Sequence, residues 1–510
     1  MTGYTLCFDV GTTNVKGAIV SMKDFRAIYT KSVKAEVVYP KIGYAEIDVD
    51  RLWGQITYLA SELYSIADRE VIKDLRSMVF TAHMAGVIPI DVEGHPLRNG
   101  IIWLDERGKG LPRELFSGVI KISGYNIFRL IEFLRITGGA PSKTGKDPLS
   151  KILWIKENEP DIYRSTYKFL DVKGYLIYRA TGGIYTSPDE AHLTWLADTR
   201  SRVKWSRKLL DRYGIDESKL PLIGRSIDIA GYVDGELLDI LRLRDGLPVF
   251  IGAGDLTTAA LGSGAVEDGV PHIYVGTSSW IAAHTPKRLL DISHYMGTLY
   301  SAIPDKYLFI AEQEVAGAAL DYFMDLFNID DYRNVDKMLE DMDVKDSNLI
   351  FLPWMYGERA PIDDPYLGGG LLNLRFEYGV EDILRAVLEG VALNIGWAYQ
   401  YFKRKIPWNG PVYIVGGGAK SDIWVQIISD ILNNRLVRPI EPENAGVRGS
   451  AIIASVGLNI YKSFQDAARY IPMDKTFNPK RSERGRYQKL QTIFNGMYDR
   501  LKDIYRCLNG

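Results

Sequence analysis

An α/β fold made of two similar halves is what this sequence predicts, and three observations lead to it. The segment 4–20, YTLCFDVGTTNVKGAIV, alternates apolar residues (Leu6, Phe8, Val10) up to Gly11-Thr12-Thr13, and a second apolar run follows from Gly17 to Val20. That pattern is a strand, a tight turn and a returning strand. The segment 272–284, HIYVGTSSWIAAH, repeats the plan around Gly276-Thr277-Ser278-Ser279, about half the chain later. Repetition on that scale is weighed before any other fold reading. Between and after the two hairpins, short apolar runs alternate with segments of helical period, which is the mark of α/β architecture.

The remaining elements follow in order. Apolar runs at 77–81, 86–92 and 248–252 read as strands, and Leu256 to Leu261 reads as a helix behind Asp255. A Gly-rich stretch, GSGAVEDG at 262–269, marks the boundary between halves, giving an N-terminal domain over 1–264 and a C-terminal one over 265–510. A strand is expected at 349–352. A long helix is expected over 381–401, with Ile383, Val387, Val391 and Ile395 on one face. A strand at 412–415, a helix at 422–432 and an Ala/Ser-rich helix at 449–456 complete the reading.

Composition narrows the class. The 510 residues are 46% apolar and 25% charged, ordinary for a globular protein. Lys plus Arg numbers 62 and Asp plus Glu 64, a net charge of −2, so no bulk basic footprint for nucleic acid or an anionic membrane exists. Two cysteines, Cys7 and Cys507, do not form a disulfide framework or a Cys-rich zinc site. No apolar run reaches the length of a membrane span, and the first residues lack a leader pattern, so a soluble cytoplasmic protein is expected. The six histidines show no H-x-x-x-H spacing, and neither a Walker loop nor a G-x-S-x-G elbow occurs.

Four constellations carry chemistry. In Asp9-Val10-Gly11-Thr12-Thr13-Asn14-Val15-Lys16, glycine admits a ligand close to the backbone and successive N–H groups form an anion-binding concavity. Thr12, Thr13 and Lys16 add donors and positive charge, and Asp9 is a hard oxygen ligand suited to Mg²⁺. Gly276-Thr277-Ser278 offers an equivalent turn. Gly416-Gly417-Gly418-Ala419 lies at a strand-to-helix junction where a flat ring can approach the backbone. In Gly252-Ala253-Gly254-Asp255 the carboxylate reads both as a helix cap and as a general base for a hydroxyl nucleophile.

With those residues in view, the chain resembles the FGGY carbohydrate kinases, of the sugar kinase, actin and heat-shock ATPase superfamily. Asp9-x-Gly-Thr-Thr-x-x-Lys16 resembles the first phosphate motif, and Gly276-Thr277-Ser278 the second. Pro148-x-x-Lys151-x-x-Trp154 with Glu157-Asn158-Glu159-Pro160 is similar to the first family signature. Arg385-Ala386-x-x-Glu389-Gly390-Val391-Ala392 is similar to the second. Gly357-Glu358-Arg359-Ala360-Pro361 with Asp364-Pro365 resembles the G-E-R-x-P…D-P loop, and Gly416 to Ser421 the adenosine motif.

The resemblance implies two ribonuclease-H-like (actin-like ATPase) domains with a catalytic cleft between them, with ATP and Mg²⁺ as cofactors. It implies Asp255 as the catalytic base and Asp9 as the metal ligand. Gly11, Thr12, Thr13, Lys16, Gly276 and Thr277 would hold phosphates, and Gly417, Gly418 and Ser421 would flank adenosine. His83, Met84, Asp105, Arg107 and Trp280 would face the sugar. The pocket also departs from familiar patterns: xylulokinases carry Gln-Met-His-Gly where this chain has His83-Met84-Ala85-Gly86, Gly174 stands where Asp is common, and Leu367-Gly368-Gly369 replaces Ala-Arg-Gly. The expected activity is ATP-dependent phosphorylation of a small sugar, with a ketopentose such as xylulose or ribulose as first choice. A pentitol, a gluconate-like sugar acid or glycerol are the alternatives within the class, and a catalytically silent sugar- or nucleotide-responsive regulator is the alternative outside it. Partners are then the sugar and ATP, with neither nucleic acid nor membrane, and a homodimer fits the family.

Overall fold

The computed structural model describes residues 3–243, 246–340 and 348–510. The chain divides into two compact units, the first comprising 1–262, 299–307 and 446–471, the second 263–298, 308–445 and 472–510.

In the first unit the predicted hairpin forms from strands Tyr4–Val10 and Asn14–Ser21, paired antiparallel in unbroken register. Ala27–Lys34 adds a third antiparallel strand, with alternating half-buried and exposed residues as an edge should have. On the other side of Tyr4–Val10 lies Leu75–Ala82, parallel, then Pro248–Phe250, parallel, then the antiparallel edge Ile229–Tyr232. The central strands are buried on both faces, so they read as continuous apolar runs. Helix Val49–Ile66 covers the hairpin with Leu52, Trp53, Ile56, Leu59 and Leu63. The run at 86–92 shrinks to a strand at Ile88–Ile90, because Asp91 starts a turn in which the Gly94 N–H donates to the Asp91 carbonyl at 3.1 Å.

The second unit repeats the scheme. Strands Pro271–Val275 and Ser279–Thr285 form the second predicted hairpin, and the strand Val412–Val415 lies parallel to the first of them. Leu436–Pro439 follows in parallel and Met473–Phe477 closes the sheet antiparallel. On the hairpin's far side Tyr307–Gln313 and Gly297–Tyr300 extend the sheet. Each sheet therefore has a hairpin, two parallel strands beside its first strand and an antiparallel edge. The long helix runs Val380–Lys405 and is almost wholly buried along its middle, against helix Asp422–Leu432 and strand Ile350–Leu352.

The final Ala/Ser-rich helix spans Ala445–Gly457, four residues earlier than its pattern suggests. Gly446 and Gly449 mask its start in the sequence, since glycine weakens a helical signal. They are required by packing in the first unit. A Cβ at Gly449 would overlap the Thr258 carbonyl oxygen on helix Asp255–Gly262. The fully buried Arg448 beside it donates to the Gly262 carbonyl at 3.1 Å. Gly449→Val should therefore force the two helices apart and cost about 1–3 kcal/mol or somewhat more, the range for overpacking. Thermal unfolding followed by circular dichroism should show a lowered midpoint; an unchanged midpoint contradicts this packing.

Candidate active site

Three neighbouring parallel strands of the first unit end at the same edge. Tyr4–Val10 ends in Asp9 and Val10, Leu75–Ala82 runs into His83-Met84-Ala85, and Pro248–Phe250 runs into Gly252-Ala253-Gly254-Asp255. The carboxyl ends of parallel strands are where open α/β sheets place ligands. Two bonds stitch the loops together: the His83 N–H donates to the Val10 carbonyl at 2.8 Å, and the Thr81 hydroxyl to the Ala253 carbonyl at 2.9 Å. Sequence-distant residues thus meet at one edge.

Asp9 faces Lys16 across the hairpin register. Burial raises its carboxyl pKa, and the Lys16 ammonium opposes that shift. The Gly11 N–H closes the turn on the Asn14 carbonyl at 3.0 Å, leaving Thr12 half-buried and Thr13 exposed. Helix Ala445–Gly457 approaches so closely that a Cβ at Gly446 would overlap the Asp9 carboxylate. Asp255 is the first residue of helix Asp255–Gly262, half-exposed, and its carboxylate accepts the Leu256 N–H at 2.7 Å.

The expected sugar-facing residues sit in different surroundings. His83 is buried, and desolvation with help from the nearby Lys151 ammonium pushes its imidazole down to about 4. It is neutral at physiological pH, and its Nδ1 has no hydrogen-bond partner among the described residues. The Met84 side chain packs against Gly254, where no Cβ would fit. Asp105 and Arg107 bind each other: the guanidinium donates to both carboxylate oxygens at 2.8 Å and to Glu46 at 2.6 Å. Asp105 also accepts the Ala45 N–H at 2.6 Å, and Arg107 lies over the ring of Tyr44, 4.1 Å from its centroid. The same Glu46 pairs with Arg98, which reaches on to Glu159. This network locks the backbone at 44–46 to the segment 105–107, and it leaves that ion pair few hydrogen-bonding sites for a substrate.

In the second unit the Gly276 turn is braced by its own backbone. The Gly317 N–H donates to the Gly276 carbonyl at 2.7 Å, and the N–H groups of Ala316 and Ala318 donate to the Thr277 carbonyl. Thr277 is exposed at the tip. Trp280 stacks flat on Tyr274, its partner in the strand register, with ring centroids 3.8 Å apart. One indole face is therefore already occupied. Gly416 has φ +100° and lies against Val275, Gly418 faces Trp424, and Gly417 opens onto free space. Of that glycine run, Gly417 is the position over which a flat ring could lie. Ser421 caps helix Asp422–Leu432: it accepts the Trp424 N–H at 3.1 Å and donates to Asp336 at 2.6 Å. Glu358 of the Gly-Glu-Arg loop is buried, and desolvation lifts its carboxyl pKa to about 8. It accepts the Glu314 and Arg359 N–H groups and bonds Asn394, fixing the end of strand Tyr307–Gln313 to the long helix.

The family model described as the FGGY family of carbohydrate kinases, N-terminal domain, matches residues 4–262, and its C-terminal counterpart matches residues 272–458. The chain belongs to the FGGY family of carbohydrate kinases. Over 503 residues this kinase is 28% identical to a xylulose kinase of Staphylococcus xylosus, covering 97% of this chain and all of that one. A ligand-bound xylulose kinase structure from Lactobacillus acidophilus superposes with a TM-score of 0.86 at 23% identity, over 99% of this chain and 100% of that one. A gluconate kinase structure from the same organism gives the same TM-score and identity, over 99% of each chain. The two sheets are thus those of the actin-like ATPase fold, and the protein is a sugar phosphotransferase that uses ATP.

Several residues of this FGGY kinase escaped the sequence reading. Glu46 is an unremarkable acid in sequence. Glu190 sits in a Ser-Pro-Asp-Glu string that reads as a helix start and nothing more. Gly446 carries no motif of its own. A direct check on the edge geometry is Gly446→Ala. Alanine favours a helix, so folding should persist, but its methyl displaces the Asp9 carboxylate. On the expectation that Asp9 is a metal ligand, kcat/KM should fall by about tenfold or more, since a displacement of about 1 Å at a site has effects of that order. Normal turnover would contradict the close approach.

Proposed function

We propose that this FGGY kinase transfers the γ-phosphoryl group of ATP to a hydroxyl of a ketopentose, with xylulose as the first choice. The observation that carries the reading is the convergence of Asp9, the 83–86 loop and Asp255 on one edge of the first unit's sheet. A relative spanning the whole chain is named for xylulose, which supports the choice of sugar. Neutral His83 supports it too, because an uncharged imidazole hydrogen-bonds hydroxyls without attracting a charged substrate.

In this reading Asp255 accepts the proton of the attacking sugar hydroxyl. The new O–P bond forms as the bond from the γ-phosphorus to the bridging oxygen breaks, and ADP departs with that electron pair. Positioning and charge neutralisation supply most of the acceleration. The N–H groups of Thr12 and Thr13 and the Lys16 ammonium hold phosphate oxygens, and the Gly276-Thr277 turn is a second candidate for phosphate. Gly417 carries the adenine side, and Ser421 shapes that turn by capping the helix that follows it. His83 and Met84 contact the sugar, with Asp105 and Arg107 behind them.

Asp9 offers a carboxylate oxygen, and Thr12 and Thr13 in the turn that follows it offer hydroxyl oxygens, a donor set that fits Mg²⁺. When bound, the ion would neutralise charge on the β- and γ-phosphates, with Asp9 holding it. Among the described residues no helix is long and apolar enough to cross a membrane, and both cysteines are free thiols. The free thiols support a cytoplasmic setting.

The test is kcat/KM across ketopentoses, pentitols, aldonates and glycerol, for the native enzyme and for Asp255→Asn. Xylulose should rank first, and the variant should lose on the order of 10²-fold or more in kcat while still binding ATP. An aldonate or glycerol in first place overturns the choice of sugar. Near-normal turnover by the variant overturns the role of Asp255.

A further inference from the structure

The loop that follows strand Leu75–Ala82 contains a strained residue. Ala85 has φ +61°, in the left-handed region that a residue with a Cβ avoids. Backbone strain of this kind persists only where the surroundings hold it, and it gathers at functional sites. Here two buried side chains hold it, one on each side of the residue. The Lys151 ammonium, on helix Pro148–Asn158, donates to the Ala85 carbonyl at 2.7 Å. The Glu190 carboxyl, on the short helix Pro188–Leu193, accepts the Ala85 N–H at 3.3 Å. Both side chains are almost fully shielded, at 0% and 2% exposed.

We propose that Lys151 and Glu190 are positioning residues that clamp Ala85 in its left-handed conformation and thereby set His83 and Met84 for the sugar. The inference rests on the kinase reading above and deepens it. Ala85 lies directly between Met84, which packs on Gly254 next to the base, and Gly86, where a Cβ would meet Val172 at 2.7 Å. The loop is thus fixed on both flanks, and its one strained residue is fixed by the clamp. Neighbouring structure ties the clamp to the base as well. Asp189, adjacent to Glu190, accepts the Gly254 N–H at 2.8 Å and the Thr257 hydroxyl. A shift of the Pro188–Leu193 helix would therefore move both the 83–86 loop and the backbone leading to Asp255.

The chemistry of the two groups suits a holding role. Burial together with the Asp171 and Asp189 carboxylates raises the Glu190 pKa, and Lys173 offsets this only in part. A neutral carboxyl still accepts an N–H through its carbonyl oxygen. Burial lowers the Lys151 ammonium to about 7, with Asp105 and Asp147 opposing the shift. Charged or neutral, the amine still donates to a carbonyl. Neither group needs to contact the sugar to do this work.

Substitutions separate holding from other roles. Glu190→Gln keeps an acceptor for the Ala85 N–H and should leave kinetics within about twofold of the native enzyme. Glu190→Leu and Lys151→Met each remove one half of the clamp. Each should raise the sugar KM by about tenfold while the ATP KM stays within about twofold, because the loop and not the nucleotide site is loosened. Ala85→Gly supplies the decisive arm. Glycine enters the left-handed region without a Cβ penalty, so adding it to Glu190→Leu should recover most of the lost sugar affinity. Thermal midpoints measured alongside identify any variant that fails to fold. If Glu190→Leu is folded and its sugar KM is unchanged, the clamp is refuted. It is equally refuted if the sugar and ATP KM values rise together, or if Ala85→Gly gives no recovery. A native enzyme that phosphorylates none of the sugars tested would instead refute the kinase reading, independently of the clamp.

Discussion

The first unit depends on how closely helix Ala445–Gly457 lies against the sheet that carries Asp9. Three glycines on one face of that helix make the approach possible. Gly446 abuts the Asp9 carboxylate, Gly449 abuts the Thr258 carbonyl, and Gly457 abuts the ring of Phe250. Each glycine costs about 1 kcal/mol of helix stability relative to alanine. The helix bears that cost because any side chain there would push against a strand end or a neighbouring backbone. The strand ends that carry Asp9 and Asp255 and the helix Ala445–Gly457 are therefore one packing problem. Asp9 is held where the chain, more than 400 residues later, returns to it. Arg448, buried with its guanidinium on the Gly262 carbonyl, ties the same helix to the end of the helix that Asp255 begins.

Much of this was legible in the sequence, for physical reasons that can be named. Both hairpins show because alternating apolar residues meet a Gly-Thr turn, and the structure forms them at Tyr4–Ser21 and Pro271–Thr285. Helix Asp422–Leu432 falls at its predicted bounds because Ser421 caps one end and Asn433, in the left-handed region, ends the other. The helix at 449–456 was found but started late, since glycines chosen for packing look like breaks. Residue types were also a partial guide to the pocket. Asp105 and Arg107 are the right chemistry for hydroxyls, yet no spacing rule reveals that they bind each other twice and share Glu46. Trp280 looked like an open aromatic face, and only the strand register puts Tyr274 upon it. Ala85 looked like a missing contact, whereas the backbone shows a strained residue held by two buried groups.

The two units use one scheme for different ends. Each places a Gly-Thr turn between the first two strands of its sheet, but the first turn is flanked by the Asp9–Lys16 pair and the second is braced by backbone bonds from residues 316–318. Carboxylates suit metal and proton chemistry, while open backbone suits a flat or phosphorylated ligand. Similarity of fold does not choose the sugar: the xylulose and gluconate kinase structures match this chain equally well. The 83–86 loop, held by Lys151 and Glu190, is where specificity is proposed to lie.

Asp9 is proposed to hold the metal of the nucleotide complex, at the strand edge that also carries the proposed base Asp255. The most direct measurement is electron paramagnetic resonance of Mn²⁺, a substitute for Mg²⁺, titrated with ATP into the native enzyme and into Asp9→Asn. The native enzyme should bind the Mn²⁺–ATP complex and the variant should bind it about tenfold or more weakly, while metal-free ATP binds both equally. Equal affinity of the two proteins for Mn²⁺–ATP would rule out Asp9 as the metal's holder.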